Sequence, residues 1–170
     1  MIGPIYVGEQ GWYVPQDAQG NYKRYPNAVA SMNDTLKVMK GLVPTHITYN
    51  GKKGALTGKN AMTAKVGETV LFIHSQANED SRIHLMAGMA IWCGQVAPLI
   101  IRQRLIGKLG VSMVVKRWLQ CTLFKQPGIY AYVNHNLIEA IMLGGAAHVK
   151  VEGQWNNDLM EQVRAPSKIR

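Results

Sequence analysis

The sequence predicts an all-β fold, a sandwich or a barrel, on two observations. Short apolar runs are separated by glycine-containing turns, a texture typical of sheets. Residues 129–134 alternate between small aliphatic side chains and tyrosine or asparagine, the period of a strand with one buried face. The 170 residues are enough for one domain of ordinary size.

The first elements are predicted from turn formers and a helical pattern. Residues 1–30 combine glycine, proline, aspartate and asparagine with spaced aromatic residues, so we expect an extended arm with little regular structure. Residues 31–40 can form a short helix that Gly41 closes. We therefore divide the chain into an arm with a short helix, residues 1–43, and an all-β domain, residues 44–170.

The rest of the chain has strand signals in sequence. Residues 46–49 predict a strand, and Asn50-Gly51 is a tight-turn signal. Residues 64–75 predict a turn that leads into a buried strand, and residues 147–152 predict another strand. A helical turn is expected over residues 157–164. Between these elements, the strand 129–134 ends at His135.

The net charge of +9 raises the question of nucleic acid or an anionic membrane as a partner. The excess is local, because no aspartate or glutamate occurs between Ser81 and Ile138, where seven lysine and arginine residues lie. The chain also has no apolar run long enough to span a membrane, and its first residues lack the features of a signal peptide. We predict neither a nucleic-acid nor a membrane partner.

His135 stands where a strand gives way to a loop, a position from which a sheet can present a metal ligand. The amides of Asn134 and Asn136 can hold that loop by hydrogen bonds to backbone. A single histidine is more often a structural residue than a metal ligand, since copper or zinc needs three or four donors from different segments. Cys93 and Cys121 fit no metal or disulfide motif.

Eight motifs carry a resemblance to a known family, namely Val43-Pro-Thr-His46, Gly54-Ala-Leu-Thr-Gly58, Lys65-Val-Gly-Glu68, His74-Ser-Gln-Ala-Asn78, Arg82-Ile-His-Leu85, Phe124-Lys-Gln-Pro-Gly-Ile-Tyr-Ala-Tyr132, Asn134-His-Asn-Leu-Ile-Glu-Ala140 and Glu152-Gly-Gln-Trp-Asn156. Over residues 5–88 and 124–166 they resemble the second cupredoxin domain of copper-containing nitrite reductases. The resemblance implies a cupredoxin-like Greek-key β-sandwich with an extended N-terminal arm and short helical turns.

The resemblance also implies an activity and its setting. Members of the family are periplasmic homotrimers that reduce nitrite to nitric oxide, in denitrification or nitrate assimilation. A type 1 copper receives electrons from a small donor protein, a cupredoxin or a cytochrome c. A type 2 copper binds nitrite between subunits, with two histidines from the first domain of one subunit and a third from the second domain of its neighbour.

Three residues take family roles by their motif positions. His135 matches the third type 2 copper ligand, His84 matches the histidine that passes a proton to nitrite, and Met86 replaces a bulky aliphatic residue of the nitrite pocket. Copper favours imidazole, and a group that titrates near neutrality can relay the protons the reaction consumes. His46, His74 and His148 also lie in motifs, but we interpret them as hydrogen-bonded structural residues.

The resemblance covers only the second domain, so we expect the type 1 site and two of the three type 2 histidines to be missing and the chain alone to be inactive. An alternative function is a non-catalytic cupredoxin-like binding or assembly module, or an inactive fragment. An electron-carrier cupredoxin is a weaker third option, because no ligand cysteine lies near His135.

Residues 89–123 depart from the family although their length is preserved. We predict a shifted reading frame, because one base added before Met89 converts a possible coding sequence for Met89-Ala-Ile into the family's His-Gly-Asp. Lys108 and Leu109 then replace a Glu-Thr pair that holds the proton-donating histidine, which would impair His84. The alternative is a basic apolar helix over residues 91–109 that binds a membrane surface or nucleic acid.

Overall fold

The computed structural model describes residues 4–78, 80–88, 90–97, 100–104, 110–112, 117–161 and 163. Within these ranges the chain forms one α-helix, α1 at Ala28–Met39, and the following strands. They are β1 (Ile5–Trp12), β2 (His46–Tyr49), β3 (Met62–Lys65), β4 (Thr69–Ala77), β5 (Ser81–Leu85), β6 (Ala90–Ala97), β7 (Ile100–Arg104), β8 (Gly110–Ser112), β9 (Arg117–Leu123), β10 (Gly128–Asn134) and β11 (Ala146–Glu152).

The strands make two sheets, with orders β2-β1-β4-β9-β6-β7 and β3-β11-β10-β5-β8. Sequence neighbours are often separated within a sheet, so the chain crosses repeatedly from one sheet to the other, as in a Greek-key sandwich. The predicted all-β class is therefore confirmed. No helix in the described ranges is long and apolar enough to cross a membrane.

The core lies between the two sheets and follows the alternation of the strands. In β4 every second residue is buried, and in β11 Ala147, Val149 and Val151 are. The tyrosine face of β10 is the buried one, since Tyr132 is 1% exposed whereas Ile129 is 73% exposed. Phe72 stacks on Tyr132 with ring centroids 5.4 Å apart, which adds an aromatic contact to the burial of apolar area.

The expectation of little regular structure in residues 1–30 is wrong for β1. Residues 5–10 pair in parallel with β4, and residues 9–12 pair antiparallel with β2. Beyond β1, an isolated bridge joins Gln16 and Tyr22. The boundary placed at residue 43 stays a prediction, although β1 itself belongs to the first sheet.

The helix begins three residues earlier than predicted, because Asn27 caps it. Its side-chain Oδ1 accepts a hydrogen bond from the backbone N–H of Ala30 at 2.9 Å. At the other end Leu42, and not Gly41, adopts the left-handed conformation, with φ of 50°. The strand at residues 46–49 is confirmed, as is the turn at Asn50-Gly51, where both residues have positive φ.

The helix proposed for residues 91–109 is wrong for the described part of that stretch. Residues 90–97 and 100–104 are strands β6 and β7, which pair with each other, and β6 also pairs with β9. Met89, Leu99, Lys108 and Leu109 lie outside the described residues, and the shifted reading frame stays a prediction. At the C-terminus, residues 157–159 form a turn, and residues 162 and 164–170 lie outside the described ranges.

Gly144 is the glycine whose backbone the fold most clearly requires. It ends a π-helical turn at Glu139–Leu143 with φ of 106°, and a Cβ there would lie 2.8 Å from the carbonyl oxygen of Ile47. We expect Gly144→Ala to lower the free energy of unfolding by about 2–4 kcal/mol, measured by urea unfolding.

Gly20→Ala is the matched control for this prediction. Gly20 also has a positive φ, of 83°, but open space around its Cβ position, so it bears only the conformational cost. Equal losses in the two variants would contradict the role of the Ile47 contact.

Candidate metal centre

Antiparallel pairing of β5 and β10 brings His84 and His135 together from distant parts of the chain. Val133 lies opposite His84, and Asn134 lies opposite Ile83. One residue further on, the backbone N–H of His135 donates to the carbonyl oxygen of Arg82 at 2.7 Å. The strand register therefore places the two imidazoles side by side at the end of β10.

The two rings stack, with centroids 5.2 Å apart and planes 21° from parallel. His135 is exposed and His84 is half-buried. Nδ1 of His84 is buried and has no hydrogen-bond partner among the described residues. Because Nδ1 is enclosed, Nε2 is the nitrogen of His84 that can reach a substrate, and the ring of His135 is open to a ligand or a partner surface.

Burial, and secondly the charge of His135, lower the pKa of His84 below its usual value near 6.5. The unfolded chain therefore binds this proton more tightly, so the folded state loses stability as the pH falls from about 6.5 through the lowered pKa.

We expect a histidine-ring NMR titration of the chain without metal to show the lowered midpoint of His84. His135→Ala removes the charge but leaves the burial, so it should raise that midpoint only part of the way towards the usual value. A midpoint that does not move in His135→Ala would contradict the electrostatic contribution of His135.

Met86, the predicted pocket residue, follows directly after β5. Its backbone N–H donates to the carbonyl oxygen of Ala131 at 2.8 Å, and its side chain is 46% exposed. The structure thus fixes the backbone of Met86 beside β10 and leaves its side chain accessible. An exposed methionine is a flexible apolar group that can adapt to a neighbouring surface or a small ligand.

The described residues contain no group of three or more histidine, cysteine, aspartate or glutamate side chains that could hold a metal ion. His84 and His135 form a pair, in which His135 is exposed and His84 is half-buried. A copper site with three histidines would need donors from another surface. This donor set fits the contribution of one ligand to a site that is completed elsewhere.

A buried polar cluster lies behind the loop of His135, and sequence reasoning found only part of it. Asn134 donates to Glu9 Oε1 at 2.8 Å and to Glu139 Oε2 at 2.6 Å. His74 contacts Glu9 Oε2 at 3.1 Å through Nε2 and the hydroxyl of Tyr132 at 3.1 Å through Nδ1. Burial and the nearby charge of Glu9 raise the pKa of Glu139, against the hydrogen bonds that lower it.

The other histidines make the hydrogen bonds that the structural interpretation predicts. His46 Nε2 lies 2.7 Å from the hydroxyl of Tyr22, and the backbone N–H of Gly58 donates to His148 Nδ1 at 3.4 Å. His74 is fully buried in the polar cluster. None of the three lies in a group that could hold a metal within the described ranges.

Comparison with known proteins finds no matching family model but clear relatives. The chain is 50% identical over 167 residues to the copper-containing nitrite reductase of Pseudomonas chlororaphis, covering 96% of this chain and 45% of that protein. It is 50% identical over 170 residues to the copper-containing nitrite reductase of Alcaligenes faecalis, covering 95% of this chain and 43% of that protein.

Solved structures support the fold. A copper-containing nitrite reductase from Thermus scotoductus superposes with a TM-score of 0.68 at 12% identity, over 88% of this chain and 30% of that one. A copper nitrite reductase from Nitrosomonas europaea gives 0.62 at 17% identity, over 90% and 50%. Over almost its whole length the chain is therefore similar to a part of copper-containing nitrite reductases, and it spans less than half the length of the curated relatives named above.

Proposed function

We propose that this chain is the part of a copper-dependent nitrite reductase that supplies one copper ligand, His135, and one proton donor, His84, to a site shared between subunits. The stacked pair of His84 and His135, in a chain half identical to copper-containing nitrite reductases, carries the proposal. Both histidines stand in motifs that resemble those of the family, and the register of β5 and β10 explains why they meet.

Copper supplies one electron at a time, and nitrite with one electron and two protons gives nitric oxide and water. His84 can pass a proton from Nε2 to the departing oxygen of nitrite, since its Nδ1 is enclosed. The lowered pKa makes the protonated form of His84 a stronger acid and reduces the fraction of His84 that is protonated near neutral pH. Met86 borders this position and limits the space for the substrate.

The remaining parts of the proposal concern partners. In this proposal the exposed ring of His135 belongs to a type 2 site shared between subunits of a homotrimer, and the type 1 copper is held outside this chain. A cupredoxin or a cytochrome c would deliver the electron in the periplasm. The proposed role is in denitrification or nitrate assimilation.

A chimera tests the proposal. The part of the Pseudomonas chlororaphis enzyme outside the match is joined to this chain, and copper content, the electron paramagnetic resonance spectrum and nitric oxide release are measured. We expect the chimera to take up copper of two spectroscopic types. A folded chimera with no second copper type would contradict the proposal and favour a non-catalytic binding or assembly module.

A second chimera separates the effect of residues 89–123. It carries the relative's residues over this stretch, which should remove the impairment predicted from Lys108 and Leu109. We expect nitrite reduction at least about 10-fold faster than in the first chimera, because the groups that orient a catalytic histidine contribute about this much. Equal rates in the two chimeras would contradict the predicted impairment.

A further inference from the structure

The buried side-chain amide of Asn134 makes hydrogen bonds that hold the loop carrying His135. We propose that Asn134 is a positioning residue, which fixes the imidazole of His135 through the carboxylates of Glu9 and Glu139. The proposal rests on the proposed function of His135 as a copper ligand and adds the group that sets the direction of that ligand.

The side chain of Asn134 uses every hydrogen-bonding group it has. Its Nδ2 donates to Glu9 Oε1 at 2.8 Å and to Glu139 Oε2 at 2.6 Å, and its Oδ1 accepts from the backbone N–H of Asn136 at 2.9 Å. The residue is 1% exposed. Three partners in different directions leave the amide plane one orientation, because a buried donor without a partner is costly.

These bonds enclose His135 on both sides along the chain. The hydrogen bond from the N–H of Asn136 to Oδ1 of Asn134 forms an Asx turn, which restrains the backbone of His135. The N–H of His135 donates to Arg82 O, and the N–H of Asn134 donates to Gly145 O at 2.9 Å. The ring of His135 is exposed apart from its stacking on His84, so we infer that its direction depends mainly on this backbone.

The carboxylates that hold Asn134 are themselves fixed. Glu9 lies on β1 of the first sheet, is 2% exposed and contacts His74 Nε2 at 3.1 Å. Glu139 accepts a second hydrogen bond from the side-chain Nδ2 of Asn136 at 2.6 Å. The loop on the second sheet is thus anchored to the first sheet through the interior of the sandwich.

The polarity of this arrangement explains why an amide is needed at position 134. Two carboxylates converge on Nδ2, so both require a donor there. Aspartate has the same shape as asparagine but would add a third carboxylate and no N–H. Reversing all three groups, in Asn134→Asp with Glu9→Gln and Glu139→Gln, restores a donor opposite each acceptor while keeping every shape.

The experiment uses the 170-residue chain without metal and ring NMR of labelled histidine. A cross-peak between the rings of His84 and His135 reports their stacking, and backbone amide signals of β10 and β11 report the sheet. We expect Asn134→Asp to lose the ring cross-peak while the sheet signals persist, and the triple variant to regain it. A ring cross-peak that survives in Asn134→Asp would overturn the proposal.

A second variant keeps the test decisive if Asn134→Asp does not fold. Glu139→Ala removes one of the two carboxylates that accept hydrogen bonds from Asn134, and we expect it to weaken the ring cross-peak. Glu152→Ala is the matched control, because this exposed glutamate of β11 pairs with Lys150 and has no link to the loop. A cross-peak as strong in Glu139→Ala as in Glu152→Ala would also overturn the proposal.

Copper binding to the chimera separates the positioning role from the proposed function. We expect Asn134→Asp to weaken binding of the second copper about 10-fold and to shift its electron paramagnetic resonance spectrum, and the triple variant to restore both. If His135→Ala leaves that copper unchanged, the proposed function fails whatever the ring cross-peak does. If His135→Ala removes it and Asn134→Asp has no effect on it, only the positioning role fails.

Discussion

Replacing His135 with alanine in the chimera is expected to remove the second type of copper and to lower nitrite reduction at least about 100-fold. The reason is the small number of ligands. A three-histidine site that loses one imidazole keeps two donors, and the described residues have no third side chain near His84 and His135 that could replace it.

The measurement compares copper content, electron paramagnetic resonance and nitric oxide release in His135→Ala and in His148→Ala. His148 is the matched control, since its ring accepts a hydrogen bond from Gly58 and lies outside the stacked pair. We expect His148→Ala to keep both copper types. Loss of the same copper in both variants would indicate a general effect on folding and would contradict the specific role of His135.

Replacing Glu9 with alanine is expected to lower the free energy of unfolding of the chain by about 3–5 kcal/mol. Glu9 accepts hydrogen bonds from Asn134 and lies within hydrogen-bond distance of His74 Nε2. Its removal takes one hydrogen-bond partner from His74 and one from Asn134, and these side chains, 0% and 1% exposed, lie in a space too enclosed for easy hydration.

Urea unfolding of Glu9→Ala and of Glu152→Ala tests this prediction. Glu152 pairs with Lys150 at 2.7 Å, but the two side chains are 59% and 57% exposed, so water screens the ion pair and it contributes little to stability. Glu9→Gln should lose much less than Glu9→Ala, since Oε1 can still accept from Asn134 and the new amide can donate to the other tautomer of His74. Similar losses in all three variants would contradict the prediction.

The strands that sequence reasoning found share a strong local signal, and β1 shows why others are missed. Residues 46–49, 129–134 and 147–152 alternate or carry β-branched residues between turn formers, and all three are strands. In β1, Gly8, Glu9 and Gly11 interrupt the apolar pattern, and one of the three buried positions is the charged residue Glu9. The strand is stabilised by distant partners, β2 and β4, which no local window contains.

Residues 89–123 are a second example of strands that the local sequence pattern does not identify. Its basic apolar composition fits a surface helix as well as a strand, so periodicity alone left the helix open. Pairing of β6 with both β7 and β9 decides for strands over the described residues. Tertiary pairing here overrides the local preference.

The candidate site was predictable where it depended on motifs. His84 and His135 were identified from their motif positions, and the antiparallel register of β5 and β10 gives the reason for their contact. Asn134 was noted as a loop-holding amide, but Glu9 and Glu139 were not linked to it. Glu9 is 125 residues from Asn134, and a hydrogen bond over that separation leaves no pattern in one sequence.

The position of β1 inside the first sheet has a consequence for folding order. Ile5 pairs with Phe72, so β1 is an interior strand whose parallel partner leaves the ribosome much later than β1 does. Pairing over such a separation in sequence has a high loop-closure cost and is intrinsically slow. Until β4 is complete, the edge of β1 that pairs with β4 remains open to other extended segments, including the β1 strands of neighbouring nascent chains.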